Sequence, residues 1–273
     1  MSLRFRVLGS GSSGNATLVE TAGARILIDA GLGPRELAER LQSVGVDPGS
    51  LDAIYLSHEH SDHCKGAASF SRKWGVRLRG TRGTYAAANF GAEEIPAYDV
   101  IVAGSASRAG TLVVLPIAVP HDAAEPVAFV VTSNGHSLGH ATDLGHLNRV
   151  FVDAFRGCDA VLVESNYDPG MLRAGSYPWS LKERIASSRG HLSNGDVGRY
   201  LADGLGPACH SVVLAHLSQN NNHPEMVRMS AETSLARRGR TEVAVTITSS
   251  DGTGWIDVAP AQPRPGPKQL ALF

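Results

Sequence analysis

The sequence predicts an α/β protein built as a four-layer αββα sandwich, two packed β-sheets with helices outside. Three observations carry this. Short apolar strands lead the chain and helices join them later. The interleaving lacks the strict strand–helix alternation of a doubly wound sheet. No repeat or linker divides the 273 residues before Pro260. A chain of that length buries roughly 73% of its unfolded surface, which supports one large core.

The elements follow in order. Residues 5–8 form a short strand, residues 9–14 (Gly-Ser-Gly-Ser-Ser-Gly) a loop, and 16–20 and 25–29 two further strands. Pro34 opens a helix at its favoured first position, with Leu37, Leu41 and Val44 on one face. A strand over 53–56 precedes a helix near 65–74. Further strands are expected at 76–79, 100–102, 112–119, 127–131, 161–163, 212–215 and 243–247. Helices are expected near 144–155, 179–188, 195–202 and 224–237. One domain spans 1–259, and 260–273 form a Pro-rich C-terminal tail of linker composition.

Composition narrows the function. A net charge of -1 excludes a strongly basic, histone-like binder of nucleic acid but leaves a local basic groove open. Cys64, Cys158 and Cys209 make no C-x-x-C pair and leave one odd, which argues against a disulfide framework and for a reducing compartment. The apolar run 112–119 is broken by Pro116 and is too short to span a bilayer, and no signal-peptide core follows Met1. A cytoplasmic protein without a membrane partner is expected.

Histidine is the outlier, with 11 residues, several bunched. The strongest signal is His58-Glu-His60-Ser-Asp62-His63, directly after the apolar strand at 53–56. In an extended segment His58 and His60 point the same way and reach one ion. The chain then turns, so Asp62 and His63 face a second. Other polar residues also follow apolar strands: Asp29, His121, Asp143, Glu164 and His216. Singly, a lone Asp or His among them is better explained as an ordinary strand-end residue. Together with the motif they give seven candidate ligands: His58, His60, Asp62, His63, His121, Asp143 and His216. Imidazole and carboxylate suit Zn²⁺ or Mn²⁺, with Fe a further choice.

These motifs resemble the metallo-β-lactamase superfamily, and within it the YycJ/VicX (WalJ) family. The matching segments run from Gly9-Ser-Gly-Ser-Ser-Gly-Asn15 through Ile28-Asp-Ala-Gly31, Ser57–His63, His121–Pro126, Ala141-Thr-Asp143, Glu164-Ser-Asn166, Tyr177-Pro178, Leu181-Lys182 and Gly190–Asn194 to His216-Leu-Ser218 with Asn221-Asn222. The resemblance implies the two-sheet sandwich and two divalent ions. His58, His60 and His121 would hold the first, Asp62, His63 and His216 the second, with Asp143 bridging. Asp29 would organise the site. Leu144 departs from the pattern, since relatives commonly carry Thr there, which puts a local hydrogen bond in doubt.

The resemblance also implies that Glu164 orients His191 as the acid assisting a leaving alkoxide, the catalytic group being His191, Glu164 and Asp29. With no Ser or Cys nucleophile motif, a metal-bridging hydroxide is the expected nucleophile. The expected function is therefore a dinuclear metal-dependent phosphodiesterase acting on nucleic acid, a DNA exonuclease. A small-molecule or cyclic phosphodiesterase is the alternative. Weaker substrate-binding candidates are Ser12, Ser13 and Asn15 in the first loop, Ser193, and Ser218, Asn221 and Asn222 after His216. The basic residues Lys182, Arg184 and Arg189 precede His191, and a second basic cluster lies at Arg72, Lys73, Arg77, Arg79 and Arg82.

Overall fold

The computed structural model describes residues 2–88, 90 and 97–259; the Pro-rich tail lies outside them. The strands are β1 Arg4–Gly9, β2 Ala16–Thr21, β3 Ala24–Ile28, β4 Ala53–Tyr55, β5 Leu78–Gly80, β6 Tyr98–Val100, β7 Ser107–Ala109, β8 Leu112–Ala118, β9 Val127–Ser133, β10 His136–Ala141, β11 Ala160–Glu164, β12 Ser211–Ala215, β13 Ala244–Ile247 and β14 Ile256–Asp257. The helices are α1 Pro34–Ser43, α2 Ser61–Cys64, α3 Ala67–Trp74, α4 Arg82–Ala87, α5 Arg149–Phe155, α6 Pro169–Ala174, α7 Trp179–Ile185, α8 Asn194–Arg199 and α9 Pro224–Ala236.

Among the described residues these strands make two sheets of seven, ordered β14-β1-β2-β3-β4-β5-β6 and β13-β12-β11-β10-β9-β8-β7. Each sheet is half antiparallel and half parallel. In the first, β14, β1, β2 and β3 pair antiparallel and β3 to β6 parallel. In the second, β7 to β10 pair antiparallel and β10 to β13 parallel. Directions follow from these pairings: β1, β3 and β4 run alike in the first sheet, and β8, β10, β11 and β12 run alike in the second. Their carboxyl ends therefore share one edge of each sheet, where ligand sites form in parallel sheets.

The inner faces make one apolar core between the sheets, with Phe5, Val19, Ile26, Ile28 and Tyr55 against Val114, Phe129, Val131, Leu162 and Val213. Tyr55 and Phe129 meet edge to face at 5.8 Å. The outer face of the first sheet is covered by α1 and α3 through Leu37, Leu41, Ala67 and Phe70. The outer face of the second is covered by α5, α8 and α9 through Phe151, Phe155, Val197, Val227, Ala231 and Leu235. Helical spacing accounts for these sets, since residues four apart share a face. The four-layer αββα sandwich is the fold. Among the described residues no helix is long and apolar enough to cross a membrane, and all three cysteines are free and buried.

Several elements differ from their sequence expectation. β10, His-Ser-Leu-Gly-His-Ala, was not expected, because its side chains carry little strand propensity; its position between β9 and β11 supplies the pairing instead. The helix expected from 144 begins only at Arg149, capped by Asn148 Oδ1 on the Phe151 N–H, because residues 144–147 belong to the loop leaving Asp143. The helix expected near 65–74 begins at Ala67, after Gly66, where a Cβ would lie 2.2 Å from the Leu32 carbonyl oxygen.

The loop after β3 is stitched to the segment containing Asp62 and His63. The Asn15 N–H donates to the Asp62 carbonyl (2.8 Å), the Ala30 N–H to that of His63 (2.7 Å) and the Gly31 N–H to that of Asn15 (2.9 Å). A Cβ on Gly31 would lie 1.7 Å from the Asp62 carbonyl oxygen, so the two backbones can approach only because residue 31 has no side chain. Gly31→Ala should force them apart, costing about 1–3 kcal/mol as overpacking does. It should lower the thermal midpoint by several degrees and reduce the metal content of purified protein. A midpoint and metal content equal to wild type would show that the loop absorbs the methyl.

Candidate metal centre

The strand ends converge. Asp29 follows β3, His58 and His60 follow β4, His121 follows β8, Asp143 follows β10, Glu164 ends β11 and His216 follows β12. Asp29, Asp143 and His216 have left-handed backbone, with φ of 62°, 57° and 53°. Such conformations are unfavourable for non-glycine residues and persist where surrounding bonds enforce them. At His216 the N–H donates to Ser10 Oγ (2.8 Å) and the carbonyl accepts from Asn166 Nδ2 (2.9 Å). At Asp143 the next N–H, that of Leu144, donates to Glu164 Oε1 (2.8 Å). The departure at Leu144 thus costs no bond from the backbone, and its side chain is buried in the core.

Three donor groups form, one of them Asp143, Glu164, His191 and His216; the other two carry the expected ligands. His58, His60 and His121 make one, with ring centroids 4.6–5.0 Å apart. Asp62, His63, Asp143 and His216 make the other. Asp143 Oδ2 contacts His63 Nε2 in the second set and lies 3.9 Å from His58 Nε2 in the first. Asp62 Oδ2 lies 3.5 Å from His63 Nε2 and 3.4 Å from His216 Nε2.

Hydrogen-bond valence assigns the free nitrogens. A carboxylate only accepts, so His63 Nδ1–H donates to Asp29 Oδ2 (2.8 Å), which leaves Nε2 as the ring nitrogen facing Asp143. Ser57 Oγ donates its single proton to Asp29 Oδ2 (2.9 Å), so it accepts from His58 Nδ1–H (2.9 Å) and leaves His58 Nε2 free. The Ser57 N–H also donates to Asp29 Oδ1 (2.8 Å). His121 Nδ1–H donates to the Gly190 carbonyl (3.0 Å), which frees Nε2, 3.3 Å from His60 Nδ1. Asp29 therefore sets the tautomer of one imidazole in each set, directly for His63 and through Ser57 for His58.

These residues fit divalent cations. His58 Nε2, His216 Nε2 and both Asp143 oxygens are buried with no well-formed hydrogen bond. Buried polar atoms rarely stay unpaired, and here they aim at one another. Burial, reinforced by the neighbouring His63, holds His58 well below the usual imidazole range, so it stays neutral as a ligand must. Burial opposes ionisation of Asp143, but His216 and His63 beside it hold it well below the carboxylate range.

Glu164, buried beside this cluster, accepts from the Leu144 and Leu192 N–H groups on Oε1 (2.8 and 3.1 Å) and from His191 Nδ1 on Oε2 (3.0 Å). Burial alone would lower His191, but Glu164 and Asp143 beside it raise it to about 10. Its ring, 22% exposed, stands at the wall of a cleft of about 280 Å³.

Ser12 and Ser218 line this cleft with His60, Asp62, His121, Asp143, His191 and His216. The other weak candidates are placed elsewhere. Asn15 is buried, accepting from the Gly11 N–H (2.9 Å) and reaching His63 Nε2 (3.1 Å), so the first loop spends its polar groups internally. Ser13 is exposed and outside the cleft lining. Ser193 caps α8 in a reciprocal box with Asp196. Asn221 is buried, its carbonyl accepting from the Asp168 N–H, and Asn222 bonds the Ser165 carbonyl and Asn194. The Asn15, Ser193 and Asn222 side chains are spent on loops, whereas Asn221 Oδ1 is buried without a hydrogen-bond partner.

Of the basic residues before His191, only Arg184 lines the cleft, its Nε held by Asp122 (2.5 Å). Lys182 bonds the Arg173 and Gly175 carbonyls, and Arg189 bonds that of His121. In the second cluster Arg77 and Arg79 pair with Asp99. The sequence matched Ser57, Tyr177 and Leu181 to the family without giving them a role; Tyr177 and Leu181 make a wall of the cleft with Ile185. Tyr177-Pro178 preceding α7 was the available sign for the wall; Ser57 becomes significant only once Asp29 is known to face it.

Residues 24–217 match the family described as Beta-lactamase superfamily domain. The chain belongs to the metallo-β-lactamase superfamily. It is 35% identical over 241 residues to exodeoxyribonuclease YycJ of Bacillus anthracis, covering 88% of this chain and 91% of that one. It is 33% identical over 238 residues to exodeoxyribonuclease WalJ of Streptococcus pneumoniae, covering 86% and 88%. In fold it is similar to the metallo-β-lactamase fold protein YhfI of Bacillus subtilis, with TM-score 0.73 and 16% identity over 94% of this chain and all of that one. As a member of the superfamily in its YycJ/WalJ branch, it is a metal-dependent hydrolase with a site suited to divalent ions.

Ser57→Ala should keep every presumptive ligand yet lose the hydroxyl that fixes His58. Removing such a partner usually weakens metal binding about 10–100-fold. Competition with a chromogenic chelator reads this directly. Unchanged affinity would mean that Asp29 and packing alone orient both imidazoles.

Proposed function

We propose that this hydrolase is a DNA exonuclease, a phosphodiesterase that holds two divalent ions between the ligand sets His58/His60/His121 and Asp62/His63/His216, with Asp143 shared. The observation that carries the reading is the placement of His191. It is oriented by a buried glutamate, adjoins Asp143 and opens onto the same cleft as both donor sets. That is the arrangement a phosphodiester needs, with electrophilic assistance on one side and a proton donor on the other. The names of the relatives, identical at 33–35% over most of this chain, direct the reading to DNA.

Divalent ions bound here supply Lewis acidity and acidify a water enough to make it a nucleophile near neutral pH. The chain's own residues do the rest. Glu164 fixes His191 Nδ1–H, so Nε2 is the ring atom offered to the departing oxygen. Its fixed position saves the entropy of finding that oxygen. Arg184, restrained by Asp122, gives the cleft a cation for a neighbouring phosphate, and Tyr177 with Leu181 and Ile185 offers an apolar wall for sugar or base. Ser12 and Ser218 add hydroxyl donors to the lining.

His191→Ala should retain metal and bind DNA while losing roughly 10²–10⁴-fold in turnover, the usual range for acid–base assistance. Loss of metal on this substitution would make His191 a ligand and overturn its role. The substrate class is read by offering the metal-loaded enzyme end-labelled duplex DNA, single-stranded DNA, RNA and cyclic nucleotides side by side. Mononucleotide release from DNA ends is expected. Efficient turnover of a cyclic or small diester with DNA left intact would establish the small-molecule phosphodiesterase instead.

A further inference from the structure

Val258 is fully buried in the core between the sheets, its N–H donating to the Leu3 carbonyl (2.9 Å) and its own carbonyl accepting from His210 Nε2 (3.0 Å). Past this anchor the sequence continues with Pro260-Ala-Gln-Pro-Arg-Pro-Gly-Pro-Lys268, of linker composition, and then Gln269-Leu270-Ala271-Leu272-Phe273. Four of these five residues are apolar. A solvated spacer would be polar throughout. An apolar cluster placed beyond a proline-rich spacer is instead the layout of a short docking peptide, whose few large side chains carry most of the affinity.

We propose that Gln269–Phe273 is a peptide anchor for a DNA-encircling sliding clamp, a protein partner presenting an apolar pocket for Leu272 and Phe273 beside a polar rim for the Gln269 amide. The order glutamine, leucine, any residue, leucine, phenylalanine is a recurrent anchor by which enzymes acting on DNA attach to such rings. This rests on the DNA reading above for its use: a nuclease that dissociates after each cut gains from a tether, because a short linker converts re-binding into an intramolecular event at roughly millimolar effective concentration. The nine residues of Pro260–Lys268 span at most about 28 Å when extended, enough to separate the domain from a ring without losing it.

The chain's own surface is the rival seat. A groove between α8 and α9 is lined by Gly195, Gly198, Met226 and Met229, but Ser230 and Ser234 face it, and the Arg238–Asp203 ion pair lies on its wall. That lining suits polar contact better than burial of a Leu-Phe pair.

The test reads binding, so it does not depend on turnover. A fluorescent peptide of residues 264–273 is titrated with a purified bacterial sliding clamp, and the full chain is passed with the clamp over a sizing column. Saturable peptide binding and co-elution are expected. The double substitution Leu272→Ala/Phe273→Ala should weaken both at least tenfold while cleavage of a short oligonucleotide stays at the wild-type rate. On primed circular DNA loaded with clamp, only the wild type should be stimulated. Absence of peptide binding, or equal binding by the double variant, overturns the proposal. So does cross-linking of the peptide to the α8–α9 groove in place of the ring. If the clamp binds but no DNA is cleaved by either form, the anchor stands and the nuclease reading fails.

Discussion

The site depends on one buried carboxylate that never needs to touch a metal. Asp29 is 1% exposed, and an ionised carboxylate at that depth is costly unless its lone pairs are used. Here they accept from the Ser57 N–H, the Ser57 hydroxyl and His63 Nδ1. Each bond also imposes something. The N–H bond fixes where the chain leaves β4, the hydroxyl bond turns Ser57 into an acceptor for His58, and the imidazole bond turns His63 Nε2 toward Asp143. One charge, satisfied locally, thereby prepares a nitrogen in each donor set before any ion arrives.

The second constraint is net charge. Asp143 and Glu164 are almost fully buried and Asp62 largely so, within a few ångströms of one another and of His63 and His216. Protonated imidazoles satisfy that balance in the protein without metal: His63, buried but beside Asp143 and Asp29, is raised well above its usual range, and so is His216 beside Asp143. Divalent ions replace those protons when they bind, so metal uptake and proton release are one event. The orphaned nitrogen of His58 and the neutral state that burial gives it mark the first donor set as ready for a cation without that exchange.

How much of this the sequence discloses follows from the range of each interaction. The motif 58–63 is local, and its ligand character is legible because imidazole and carboxylate at that spacing have few other uses. Strand-end residues Asp29, Asp143 and His216 are legible only as a set; the left-handed backbone of His216 is held by Ser10 and Asn166 and that of Asp143 by Glu164 through Leu144, residues distant in sequence. The helix faces of α1 and α9 could be read from periodicity, whereas β10 could not, since its pairing comes from neighbours. The asparagines misled for a physical reason. An amide with two donors and an acceptor serves a loop and a substrate equally well, and only burial separates the uses, as it does for Asn15 and Asn222. The unused histidines divide the same way: His140 bonds Thr17 inside the sandwich, burial lowering it to about 4, and His223 caps α9.

Fold and chemistry meet in the strand directions. β1, β3, β4, β8, β10, β11 and β12 deliver their carboxyl ends to one rim, so each loop there can contribute one or two side chains without distorting a sheet. Division of labour follows. The strands bury apolar residues on both faces, Val161-Leu162-Val163 and Val212-Val213-Leu214 being entirely inside, and carry the stability. The rim carries the buried charge and the strained backbone, whose cost the core offsets. α7 shows the other extreme. It buries none of its residues, yet Leu181, Arg184 and Ile185 from one of its faces line the cleft. A helix held so lightly contributes little to stability, and its sequence is therefore free to be set by what enters the cleft. Substrate preference among relatives sharing this metal framework should accordingly vary first at α7 and last at Asp29.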